Sequence, residues 1–193
     1  MKVTNLTEGS TAFTSNAFLV QNGRNVLVDP GSDSGVISRI KEEVESLDAI
    51  VVTHTHPDHI GELENVKREF GVEAWGYDTS FDGVDNPLKE GDTFRIDSEE
   101  FEVFHTPGHK NDHICLYGDG VLFSGDLIMP NGSFGRTDLE EGDDDLLIQS
   151  ISKIHERVRD EEVREIHPGH GSSVRANAKN HIELSLRNAK SFL

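Results

Sequence analysis

The chain has 193 residues, enough for one domain with a substantial core and short for two full ones. Its 36 Asp and Glu against 18 Lys and Arg give a formal charge of -18 at pH 7, which argues against tight binding to nucleic-acid backbones or anionic membranes, because no stretch supplies the Lys/Arg stripe both need. A hydrophobic fraction of 34% with only 6 prolines excludes a disordered acidic tail, and a single cysteine, Cys115, excludes an internal disulfide. Met1-Lys2-Val3-Thr4 carries no apolar signal-peptide core, and no stretch reaches the roughly 18 apolar residues of a membrane span, so a cytoplasmic address is expected. Only 8 of the charges are Lys, which together with the acidic excess suggests a halophilic surface, built for high salt.

In chain order, residues 16–21 and 25–28 flank Asn22-Gly23 and read as a β-hairpin. Val36, Ile37, Ile40, Val44 and Leu47 recur at helical spacing and predict an amphipathic helix over 36–47. A short buried strand over 49–53 leads into a His-rich loop, 54–59, and then a helix over 61–70 that stops at Gly71. From 73 to 123 short strands dominate, with Phe94, Ile96, Phe101, Val103, Ile114, Leu116, Val121 and Phe123 alternating with polar residues. A helix over 145–158, a strand over 163–167 and a helix over 179–192 complete a single domain spanning 1–193, with no repeat, linker or composition break. Two strand-rich halves, each with its helices, predict a layered α/β arrangement.

The most informative stretch is Thr53-His54-Thr55-His56-Pro57-Asp58-His59, with four metal-capable side chains directly after an apolar strand. In extended backbone His54 and His56 point to one side and can share an ion. Pro57 turns the chain, so Asp58 and His59 enter a helix and can serve a second ion. Three later segments each follow an apolar strand and offer one ligand beside turn residues: Thr106-Pro107-Gly108-His109, Ser124-Gly125-Asp126 and Pro168-Gly169-His170. A common strand edge would gather them into one cleft. Five histidines and two aspartates suffice for two divalent ions if one carboxylate bridges, with positions left open for water and substrate.

These motifs, in this order, resemble those of the metallo-β-lactamase superfamily, and the likeness spans nearly the whole chain. The resemblance implies a four-layer αββα sandwich, with His54, His56 and His109 on the first metal, Asp58, His59 and His170 on the second, and Asp126 bridging. Asp29 in the Leu27-Val28-Asp29-Pro30-Gly31 segment matches the family's early buried aspartate, which orients the ligand loop. His56 departs from the flavodiiron branch, which usually has glutamate there, and Asp126 stands where a true β-lactamase would have cysteine. No extension of the RNase Z or RNase J kind follows His170. Gly135-Arg136-Thr137-Asp138-Leu139 is similar to the short glyoxalase II-like (hydroxyacylglutathione hydrolase-like) and persulfide dioxygenase proteins. Of the C-terminal helical domain of full-length glyoxalase II, only the helix over 179–192 has a counterpart.

The expected activity is therefore hydrolysis of a 2-hydroxyacyl thioester by a hydroxide held between two divalent ions, Zn first, with Fe or Mn as alternatives; Asp58 and Asp126 are the catalytic carboxylates. By formal counting the dimetal core keeps about +1, which favours a small anionic thioester despite the acidic exterior. One alternative is a persulfide dioxygenase using one iron on His54, His109 and Asp126. A second is a β-lactamase-like endoribonuclease, which residues 106–113 and 168–187 resemble, against the -18 charge. Arg136 is a candidate grip for a substrate carboxylate or thiol carrier, with an ion pair to Asp138 or Asp143 as the structural alternative. His113, four residues after His109, is a candidate to line the pocket or donate a bond to a ligand, with a structural partner at a strand start as the expected reading. His105 and His167 flank ligand turns and are candidates to hold ligands, with backbone bonds at strand ends as the expected reading, and Cys115 is expected to be a buried thiol.

Overall fold

The hairpin at Asn22-Gly23 forms and is tighter than its pattern suggests. In the computed structural model, which describes residues 1–193, β2 (Phe18–Asn22) pairs antiparallel with β3 (Arg24–Val28) from Phe18 opposite Val28 to Asn22 opposite Arg24. Gly23 alone makes the turn at φ +76, where an L side chain is strained. A strand the sequence reading missed, β1 (Lys2–Asn5), pairs antiparallel with β2 and forms the sheet edge. Its KVTN sequence is polar because an edge strand is only half covered, and that polarity hid it.

Beyond the hairpin the first sheet turns parallel. Its order is β1-β2-β3-β4-β5-β6, with β4 (Ala49–Val51), β5 (Ala74–Gly76) and a two-residue β6 (Asn86–Pro87). All three β4 residues are buried, as befits a strand with parallel neighbours on both sides. Between the strands run α1 (Val36–Glu43), α2 (Pro57–Ile60) and α3 (Leu63–Phe70). Val36 and Ile40 of α1 and Leu63 and Val66 of α3 bury against Leu19, Leu27 and Ile50. Helix α1 ends four residues before the expected Leu47 because Val44 turns extended, at φ -144. Leu47 still reaches the core from the loop. The helix expected over 61–70 forms as α3 from Leu63, and the loop expected over 54–59 already winds from Pro57 into α2, which Gly61-Glu62 separates from α3.

The second sheet has the order β11-β10-β9-β8-β7, made of β7 (Thr93–Ile96), β8 (Glu99–His105), β9 (Ile114–Gly118), β10 (Val121–Gly125) and β11 (Glu165–Pro168). Strand β9 runs antiparallel to both β8 and β10, and β11 parallels β10. It follows that β8, β10 and β11 point the same way. Helix α4 (Asp144–Arg157) is capped by the Asp143 side chain, which accepts from the Leu146 N–H, and its acidic first turn suits the helix dipole. Leu147, Ile151 and Ile154 of α4 pack with Ile182 and Ala189 of α5 (Ala178–Phe192) and with Cys115, Leu122 and Ile166 of the sheet. Ile148 lies at the margin of that core.

By contacts the chain forms two compact units, residues 1–88 with 94–100 and residues 89–93 with 101–193. The first holds the six-stranded sheet, most of β7 and helices α1 to α3, and the second holds most of β8, strands β9 to β11 and helices α4 and α5. No helix is long and apolar enough to cross a membrane.

Candidate metal centre

In the first unit, parallel strands β3 and β4 end side by side, and their carboxyl ends carry the chemistry. The Asp29 N–H bonds the Val51 carbonyl at 2.9 Å, which sets the Asp29 side chain beside the exit of β4. Asp29 is buried and held at φ +54. Its Oδ1 accepts from the Thr53 N–H at 2.7 Å, and its Oδ2 accepts from the Thr53 hydroxyl at 2.7 Å and from His59 Nδ1 at 2.8 Å. An ionised carboxylate only accepts, so His59 carries its proton on Nδ1 and turns the Nε2 lone pair away from Asp29. The Thr53 hydroxyl, having donated to Asp29, accepts from His54 Nδ1 at 3.2 Å. One buried carboxylate thus sets the tautomer of two histidines.

His54 Nε2 lies 3.1 Å from His56 Nδ1, close enough to share one proton or one cation. The His54 and His59 ring centroids are 4.0 Å apart, and the ligand atoms of Asp58 and His59 lie within 4.8 Å of each other. His56 is the extended residue before α2, with Pro57 at the helix start. The turn is clamped from two loops, since the Ser15 N–H bonds the Asp58 carbonyl at 3.0 Å and the Gly31 N–H bonds the His59 carbonyl at 2.9 Å.

In the second unit, the co-directional strands β8, β10 and β11 deliver His109, Asp126 and His170 at one sheet end. His109 Nε2 lies 3.4 Å and His170 Nε2 3.6 Å from the same oxygen, Asp126 Oδ2. Ligand atoms bonded at about 2.0–2.2 Å to a tetrahedral ion sit roughly 3.3–3.6 Å apart, so both spacings fit an ion between them. His109 Nδ1 donates to the Arg136 carbonyl at 2.7 Å, which leaves Nε2 as its coordinating nitrogen. His109 and Asp126 are buried, whereas the His170 side chain is a third exposed. An all-imidazole-and-carboxylate donor set suits Zn, Fe or Mn.

The remaining residues singled out in the sequence fall as follows. The Arg136 side chain is exposed and forks onto Asp138, with Nε to Oδ1 at 2.6 Å and Nη2 to Oδ2 at 2.7 Å, so the ion-pair alternative is the one found. What reaches the ligand set is its main-chain carbonyl, for which no side-chain signal exists. Cys115 is buried, and desolvation pushes its thiol up to about 12, so it is no nucleophile at neutral pH. His167 bonds Ser173 Oγ through Nδ1 and lies beside Glu165; burial, the largest effect, pushes its pKa down to about 4. His105 Nε2 bonds the Asn111 carbonyl. His113 is fully buried and bonds Asp126 directly, the ligand-contact alternative for this residue, although it accepts from the Asp126 N–H instead of donating. Thr53 and Thr106 escaped the sequence reading too, although each stands at the strand exit just ahead of a ligand histidine.

A family model described as Metallo-beta-lactamase superfamily matches residues 10–178. A hydroxyacylglutathione hydrolase of Klebsiella pneumoniae is 37% identical over 136 residues, which cover 69% of this chain and 53% of that protein. The chain spans about half the length of the curated relatives it matches. Among solved structures, BLEG-1, described as a B3 metallo-beta-lactamase, superposes with a TM-score of 0.73 at 30% identity, covering 90% of this chain and 91% of that one. ETHE1 from Myxococcus xanthus superposes with a TM-score of 0.80 at 22% identity, covering 98% and 90%, and is a likeness of fold alone.

Proposed function

The chain belongs to the metallo-beta-lactamase superfamily, and on that premise we propose that it is a metal-dependent hydrolase of glyoxalase II type, cleaving 2-hydroxyacyl thioesters. The observation that carries the metal reading is the Asp126 carboxylate, one oxygen of which lies 3.4 and 3.6 Å from two imidazole nitrogens. The thioester reading is supported by the likeness to hydroxyacylglutathione hydrolases. We assign His54, His56 and His109 to one ion, Asp58, His59 and His170 to the other, and Asp126 to both. Two divalent ions, zinc first with iron or manganese as alternatives, would supply the nucleophile at neutral pH by lowering the pKa of water toward about 7 and would polarise the thioester carbonyl.

The chain's own residues do the rest. Asp29 keeps His59 and, through Thr53, His54 in the tautomer that presents Nε2. The Arg136 carbonyl does the same for His109. Asp58 takes the proton given up by the attacking water. A carbon–oxygen bond forms as the carbon–sulfur bond breaks, and a thiol with a pKa near about 8.5 departs readily as thiolate. We also propose Arg136 as a contact for an anionic substrate on release from Asp138, and a cytoplasmic location for the protein.

A second reading, opening of a β-lactam amide by the same activated water, is favoured by the 30% identity to BLEG-1 across most of both chains. The deciding experiment offers the metal-loaded protein a 2-hydroxyacyl thioester, a chromogenic β-lactam and a persulfide with an oxygen electrode. Thiol release from the thioester as the fastest reaction is the expected outcome. Faster β-lactam opening, or oxygen uptake with one iron per chain, would overturn it.

A further inference from the structure

We propose that His113 is a positioning residue for Asp126, joining the turn that carries Asp126 to the loop that carries His109; the proposal rests on the metal-binding reading above. His113 stands immediately before β9, 0% exposed. Its Nε2 accepts the main-chain N–H of Asp126 at 3.0 Å. That acceptor must be an unprotonated nitrogen, so the neutral ring carries its hydrogen on Nδ1, which meets Thr106 Oγ1 at 2.7 Å. The Thr106 N–H in turn bonds the His113 carbonyl at 2.8 Å and closes the loop from 106 to 113 at its base. His109 lies in that loop, and its ring meets the His113 ring edge-on with centroids 6.4 Å apart.

One imidazole therefore fixes two things together. It anchors the backbone from which the Asp126 carboxylate springs, and it closes the loop that aims His109 at that carboxylate. The opposite tautomer would set an N–H against the Asp126 N–H in a buried place, where neither could reach water. The Asp126 N–H excludes that state, and Thr106 Oγ1 takes up the Nδ1 hydrogen of the tautomer that remains. This use of Nε2 also takes His113 out of the ligand set, although it lies only four residues from His109.

Outer partners of metal ligands typically carry about 10–100-fold in metal affinity. His113→Leu should therefore weaken binding of zinc by about that factor, measured by competition with a chromophoric chelator. His113→Gln places a carbonyl oxygen close to the position of Nε2 and should restore affinity to within about threefold of wild type. Both variants should unfold at similar temperatures when metal-free. Cobalt-loaded His113→Leu should show a shifted visible absorption spectrum, and His113→Gln the wild-type one. If His113→Leu fails to fold, Thr106→Val tests the same link, with about a tenfold loss expected because the Nδ1 hydrogen loses its buried partner while the ring stays.

The proposal is overturned if His113→Leu, or Thr106→Val in its place, binds zinc as wild type does. It is equally overturned if Leu and Gln lose affinity alike, in step with lowered metal-free stability. A wild-type protein that binds no zinc would instead overturn the metal reading itself, a result these variants do not imitate.

Discussion

His54, His59 and His109 each have one ring nitrogen committed to a neighbour, and the commitment decides what the other can do. For His59 the neighbour is a buried carboxylate, for His54 a hydroxyl, and for His109 a main-chain carbonyl. Each fixes the proton on Nδ1 and presents Nε2, the orientation second neighbours of metal ligands commonly impose. The carbonyl in this set is the most exposed to damage, because a glycine precedes it. A Cβ built on Gly135 would stand 2.1 Å from the Asp126 carbonyl oxygen and 3.0 Å from the His109 ring. Neither neighbour can yield without moving a ligand. Gly135→Ala should cost about 1–3 kcal/mol, read as a fall in melting temperature of roughly 2–4 °C per kcal/mol. It should weaken zinc binding as well, and an alanine variant with unchanged melting temperature and affinity would refute this reading of the loop.

At the scale of elements, the ligand turns were legible because each follows an apolar strand. Val121 to Gly125 is buried at every position and uncharged, and the first charge comes where the chain leaves the sheet at Asp126. The sequence also carried the helices well where an apolar stripe defined them, as in α4 and α5, whose observed bounds lie within one residue of those expected. It failed where the signal is not a side-chain pattern. Strand β1 is polar at a half-covered edge, α1 ends where one β-branched residue turns extended, and Pro57 starts a helical turn inside what read as a loop. The candidate site divides in the same way. Asp29 is found through the family resemblance of its Leu27-Val28-Asp29-Pro30-Gly31 segment, and its spacing from the ligand histidines does not mark it. The Arg136 carbonyl and the hydroxyls of Thr53 and Thr106 act through tertiary contact, and nothing in their spacing announces it. Arg136 drew attention for its charge, whereas its backbone is the part that reaches His109.

At the scale of the whole molecule, the formal charge of -18 sets a condition on any anionic substrate. Asp58 and Asp126 would be neutralised by bound ions, but the remaining acidic residues make a field that repels anions and strains the folded state by self-repulsion. Screening shortens that field to about 3 Å at 1 M salt. For an anionic thioester, kcat/KM should therefore rise between 0.1 and 1 M KCl, as should the melting temperature. A flat kcat/KM at constant folded fraction would remove the substrate argument from the charge. The metal content underlies every other expectation. Elemental analysis of the purified wild-type protein beside Asp126→Ala should find close to two divalent ions per chain in the first and loss of metal and thioesterase activity together in the second; a wild type without stoichiometric metal, or an alanine variant that keeps both ions, would contradict it.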